Sequence, residues 1–245
     1  MNRFSATLGR TIARFLQKQT RGYMLMAVAA PARMRACLRP GDVVLVEGDR
    51  RISGAIKYLT QSTWSHAAMF VGDGEGHDLI EADLRDGVRY ITLDSLLHLN
   101  LRICRPVGLT EADRSRVLDH MRSSLGRRYD LKNVLDLARY LLPQPPVPKR
   151  FRRRLLSLGS GDPTRAICST VIAEAFEKVG YPILPMIEAG ETHDIFHIRH
   201  HSLYAPRDFD VSPYFAVIKP TIEGGFDYRA VAWAKKDTAL RGIEA

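Results

Sequence analysis

Hydrophobic and polar positions alternate with two different periods along this chain, and the periods divide it into regions. At ~100° per residue, Phe4, Leu8, Ile12, Phe15 and Leu16 fall on one helical face, and Arg3, Arg10, Arg14, Lys18 and Arg21 fall beside it. The run Tyr23 to Ala30 is apolar and ends at Pro31. After the turn at Gly41-Asp42 the pattern becomes strand-like. Val43 to Val46, His66 to Val71, Asp78 to Ala82 and Val88 to Leu93 read as short strands, with a helix over Ile52 to Leu59 and a further strand over Leu101 to Arg105. Turn residues at Gly72 to Gly76 and at Asp86-Gly87 separate the middle strands. Helical spacing returns over Glu111 to Leu125, over Leu131 to Leu142, and from Asp162-Pro163-Thr164 to Val179, before Gly180 and Pro182. Ser212 to Lys219 reads as a late strand. Strands grouped between helices predict an α+β fold, an antiparallel sheet packed against helices, not an alternating α/β sheet.

The segmentation predicts three regions: a basic amphipathic arm over 1–38, a folded body over 39–220, and a charged tail over 221–245. Three prolines in Gln144 to Pro148 and the basic cluster Lys149 to Arg154 mark an insertion at 143–162.

Charge sharpens this division. The 36 Lys and Arg against 27 Asp and Glu give a net charge of +9, yet eight basic residues precede the first acidic one, Asp42. Without them the rest of the chain holds one more basic than acidic residue. A near-neutral body disfavours nucleic acid as a partner and leaves the arm to explain the high pI. An apolar stripe flanked by cations is the pattern of a helix lying in a membrane interface, so peripheral contact with anionic membrane through residues 1–30 is the preferred reading. A helix packed on the body and a targeting segment are the alternatives, and export stays open beside a peripheral-membrane or cytoplasmic location. No apolar run reaches the ~18–20 residues of a membrane span.

Three cysteines, Cys37, Cys104 and Cys168, are too few for a disulfide framework and read as single thiols. Cys168 sits near the start of a predicted helix, where the dipole favours a thiolate; taken alone, it reads first as a small buried residue on an apolar face. His66 opens a strand. With the pairing centre of the Gly72–Gly76 hairpin between Asp73 and Gly74, Phe70 faces His77, Ala68 faces Leu79 and His66 faces Glu81. Cβ atoms of opposed residues lie ~4.5–5.5 Å apart, close enough for a carboxylate to hold an imidazole. A histidine satisfied within the core fits the same position.

The motifs Gly41-Asp42-Val43-Val44-Leu45, Ser65 to Gly72, Glu81-Ala82, Arg128-Tyr129-Asp130 and Cys168-Ser169, in this order, resemble the circularly permuted papain-like cysteine hydrolases. Within these, the YiiX/YaeF-like group is most similar, and NlpC-type peptidases and lecithin:retinol acyltransferase are relatives. The resemblance covers Arg39 to Ile183. It implies a permuted papain-like (NlpC-type) fold, a sheet or half-barrel against helices, with the cysteine at a helix N-terminus. It implies Cys168 as nucleophile, His66 as general base, Glu81 as the residue orienting the histidine, and Tyr129 bordering the site and aiding the oxyanion. The expected activity is a cysteine-dependent amidase, peptidase, or lipid acyl hydrolase or acyltransferase. It would act through a thioester on a peptide, acyl-amide or lipid-linked envelope substrate, with no cofactor and no metal.

Two other classes compete. His193, His197, His200 and His201 would give metal ligands at i, i+4 spacing on a helix, although Asp194 stands where a zinc protease motif has glutamate. A non-catalytic binding module would keep the fold without turnover.

Overall fold

The computed structural model describes residues 30–72, 76, 78–83, 86–128, 167–188, 195–197 and 200–230. Its centre is an antiparallel sheet whose first strand explains the rest. The run Val43-Val44-Leu45-Val46 has no polar position, and all four side chains are buried. A strand apolar on both faces must be covered on both. Accordingly β1 (Val43–Glu47) lies inside the sheet, paired with β2 (His66–Phe70) on one side and β5 (Asn100–Pro106) on the other. Outside β2 stand β3 (Leu79–Asp83) and β4 (Gly87–Ile91), and outside β5 stands β8 (Phe215–Ile218). The sheet order is β4-β3-β2-β1-β5-β8, antiparallel throughout. Residues β6 (Met186–Glu188) and β7 (Ile195–His197) form a separate two-stranded pair.

Alternation along the strands builds two cores. Val43, Leu45, Ala67, Met69, Ile80, Ala82 and Cys104 belong to one, with Val117 and Met121 of α3 (Glu111–Ser123) and Val171, Ile172 and Phe176 of α4 (Ile167–Glu177). Val44, Val46, Ala68, Leu79 and Ile103 belong to the other, covered by Met34, Leu38, Leu93 and Leu96. Met34 lies in α1 (Pro31–Cys37), so this short helix, within the arm expected over 1–38, packs against the body. Its Arg35 reaches Asp78 at 3.0 Å and Asp94 at 3.1 Å.

Local signals set the helix ends. Thr110 Oγ1 accepts the Asp113 N–H at 3.1 Å and caps α3. At the end of α4, Tyr181 N–H donates to the Phe176 carbonyl and Gly180 takes φ 69°, closing the helix at Glu177 rather than Val179. The helix α2 (Arg51–Thr60) spans the expected segment, while α5 (Pro206–Val211) and α6 (Pro220–Glu223) carry proline at their starts. Helix Leu131–Leu142, the insertion at 143–162 and residues 231–245 of the expected tail lie outside the described residues. Among the described residues, no helix is long and apolar enough to cross a membrane.

Candidate active site

The hairpin joining β2 to β3 differs from the expected register. Phe70 pairs with Leu79, Met69 with Ile80 and Ala68 with Glu81, so the pairing centre lies between Gly74 and Glu75. The Val71 N–H bonds the Asp78 carbonyl at 2.8 Å, and Gly72 and Gly76 both have positive φ, a region glycine enters without strain. Glu81 therefore faces Ala68, not His66. The offset is two residues on one strand, and a two-residue offset preserves the face. His66 and Glu81 become diagonal neighbours, a separation long side chains bridge. His66 Nε2 and Glu81 Oε2 are 2.7 Å apart.

The next strand completes the carboxylate's environment. β4 pairs with β3 so that Arg89 faces Glu81 directly. Arg89 donates from Nε at 3.0 Å and from Nη2 at 2.9 Å to Glu81 Oε1, and from Nη1 to Asp86 at 2.8 Å. Glu81 thus gives one oxygen to an imidazole and the other to a guanidinium fork. Burial pushes its carboxyl pKa up, but His66 and Arg89 outweigh this and bring it down to about 2.

The third side chain comes from α4. Cys168 is the second residue of that helix as described and is buried. Ser169 beside it donates to the Tyr204 carbonyl at 2.6 Å, fixing this turn against the His201–Leu203 segment. Cys168 lies close enough to the His66 ring to act on its charge, as Glu81 does from 2.7 Å. Burial disfavours the charged ring, yet Cys168 and Glu81 together raise its pKa well above the ordinary imidazole range. With Nε2 occupied by Glu81, Nδ1 is the nitrogen left for the sulfur. The structure therefore brings Cys168, His66 and Glu81 together. Tyr129 lies outside the described residues.

Arg89 escaped the sequence reading, although a signal for it existed. A hairpin centred on Arg85 would have paired Glu81 with Arg89. The histidine-rich segment corrects another expectation. Ile195–His197 is a strand, so His197 and His201 do not share a helical face. His201 Nδ1 lies 2.8 Å from Glu177 Oε2, and its ring centroid 4.0 Å from that of His200. Among the described residues no cluster of three or more His, Cys, Asp or Glu has a metal-holding arrangement; His193 lies outside them.

Two residues before His66, Trp64 borders a polar cavity of about 530 Å³ also lined by Glu47, Lys57, Arg102, Arg207 and Asp210. Its charges are largely paired: Lys57 with Glu47 at 2.9 Å, and Arg102 with Asp210 at 2.5 Å. The Trp64 indole N–H donates to Asp210 at 2.9 Å.

The chain is similar to known proteins. Residues 37–140 match the model of a family described as permuted papain-like amidase, YaeF/YiiX, C92. That match includes His66, Glu81 and Arg89 and ends before Cys168. The chain is 23% identical over 203 residues to the probable lipoprotein peptidase YaeF of Escherichia coli strain K12, covering 76% of this chain and 72% of that protein. A crystal structure titled metalloprotein yiiX, from Escherichia coli O157:H7, aligns with TM-score 0.47 and 14% identity over 74% of this chain and 96% of that one. The family match over residues 37–140 and the YaeF relative support the permuted papain-like YaeF/YiiX family and a hydrolase role.

Proposed function

We propose that this hydrolase is a cysteine amidase that cleaves an acyl-amide bond of a peptide or lipid-bearing peptide through a thioester on Cys168. His66 takes the thiol proton while the sulfur attacks the carbonyl carbon. The oxyanion forms at the N-terminal end of α4, where the helix dipole is positive. Protonated His66 then gives its proton to the departing amine, leaving an acyl thioester. In the second half His66 accepts a proton from water as that water attacks the thioester, and the proton returns to sulfur as the acid departs. Glu81 holds the ring by Nε2 throughout, so Nδ1 serves both transfers.

The observation that carries this reading is a single imidazole held at 2.7 Å by a buried carboxylate with a cysteine beside it. The family's description as amidases and the YaeF relative's name as a lipoprotein peptidase support an amide substrate over an ester. The basic amphipathic pattern of residues 1–30 supports a substrate at an anionic membrane surface.

The test incubates the full chain with a library of acyl-amides, N-acylated peptides and phospholipids. Intact mass then reads the acyl group retained on the protein. The parent gains an acyl adduct on Cys168, and Cys168→Ala gains none. Transfer to an acceptor other than water appears as an acylated product in the same spectra. Equal turnover by Cys168→Ala and the parent rejects the mechanism.

A further inference from the structure

We propose that Arg89 is a positioning residue for this site, sharing the Glu81 carboxylate with His66 so that the carboxylate is fixed in orientation and only partly available to the ring. This inference rests on the proposed roles of Cys168 and His66, and goes beyond them in assigning the charge balance of the site to a fourth side chain.

Three geometric facts support it. Arg89 and Glu81 are register partners on adjacent antiparallel strands, so the backbone sets their approach. Both donors of the fork, Nε and Nη2, land on the same oxygen, Oε1, which leaves Oε2 directed at His66 Nε2. Asp86 anchors the far side of the guanidinium through Nη1. The Arg89 side chain is 43% exposed while that of Glu81 is 7% exposed, so the arginine closes the carboxylate off from water without being buried itself.

Charge counting gives the chemical consequence. A buried carboxylate with an imidazolium as its only cation would hold that imidazolium tightly, and an acid held tightly is slow to protonate a leaving group. A second cation on the same carboxylate weakens this hold and keeps Glu81 ionised in acid. The groups facing this cluster are His66 from β2, Cys168 from α4, Asp83 from β3, and Arg89 and Asp86 from β4 and the turn before it. Removing one fixed positive charge from among them favours protonation of every remaining group. Both limbs of a pH profile must therefore move in the same direction, to higher pH.

The test measures the rate of Cys168 alkylation by iodoacetamide from pH 3.5 to 9 in the parent, Arg89→Met and Arg89→Lys, so no substrate need be known. Arg89→Met is expected to displace the profile upward by about half to one pH unit, an effect on the scale of one screened charge at close range. Arg89→Lys keeps the charge without the fork, so its profile stays in place at reduced amplitude. NMR titration of the His66 ring in a Cys168→Ser background, with and without Arg89→Met, gives a readout independent of sulfur reactivity. An upward shift there supports the role of Arg89 even if Cys168 proves unreactive in the parent, a result that would instead overturn the proposed function. An Arg89→Met protein that loses amplitude or stability with neither profile displaced makes Arg89 a structural ion pair, and the inference fails.

Discussion

Two arginine–carboxylate forks lie on the same sheet, and they differ in what each carboxylate reaches. At one, Arg105 of β5 grips Asp42 just before β1, with Nε to Oδ1 at 2.9 Å and Nη2 to Oδ2 at 2.7 Å. The same Nη2 reaches the Cys37 carbonyl at 2.5 Å, and the Arg39 N–H donates to Asp42 Oδ2 at 2.9 Å. Each contact around Asp42 is a backbone group or a guanidinium, none of which exchanges a proton near neutral pH. At the other fork, Arg89 occupies one oxygen of Glu81, and the second goes to a histidine in contact with a thiol. Both carboxylates are buried and both are satisfied. Only one is connected to a group that titrates.

Substituting each carboxylate tests that contrast most strongly. Glu81→Gln keeps the shape but removes the charge that supports the His66 imidazolium, and should lower kcat/KM by about 100-fold, as expected of a group assisting a general base. Asp42→Asn leaves Arg105 without its counter-ion in a buried place and should destabilise by about 3–5 kcal/mol in denaturant titration. Its kcat/KM per folded molecule should stay at the parental value. Reversal of this pattern, with activity lost at Asp42 and stability at Glu81, would erase the distinction.

Acid titration sharpens it further. The Glu81 pKa is depressed from an ordinary carboxyl value to about 2, so its ionised form stabilises the fold above about 4.5 and that stability is lost as pH falls toward 2. The amount is at most about 3 kcal/mol. Urea midpoints between pH 6 and 2.5 should fall less steeply for Glu81→Gln than for the parent.

A smaller effect probes how β4 is seated beside Glu81. Gly87 has φ 79°, and a Cβ there would sit 2.5 Å from the Arg127 carbonyl oxygen. Gly87→Ala should cost about 1–3 kcal/mol through the left-handed backbone and this clash. Thermal melting measures the loss directly. A Gly87→Ala protein as stable as the parent would show that β4 can shift without penalty, weakening the idea that backbone register fixes Arg89.

The sheet was readable from sequence because its strands are short apolar runs bounded by glycine turns. Val43 to Val46, His66 to Phe70 and Leu79 to Ala82 all lie in strands where alternation and turn residues mark them. Register was harder. Periodicity fixes which face a side chain occupies, but the number of residues looped out between Gly72 and Asp78 depends on backbone angles that the sequence does not display. The parity was right and the opposition wrong, and two long side chains spanned the difference. Short elements escaped for another reason. α1 and α5 span less than two full turns or barely so, too little for a helical period to emerge, although Met34 and Phe209 are buried from them. Arg89 escaped because arginine on an outer strand reads as solvated until its cross-strand partner is known. The meeting of Cys168 with His66 involves no local pattern, since the two lie far apart in sequence; only the order of the motifs pointed to it.

Strand order has a bearing on how the molecule is made. A ribosome delivers β1 through β5 first, so the meander holding His66, Glu81 and Arg89 is complete in covalent sequence well before α4 emerges, and β8 arrives last to flank β5. Under the mechanism proposed above, a nascent or prematurely terminated chain has its proton acceptor but lacks the sulfur. Hydrolytic capacity then comes only with synthesis of the later helix.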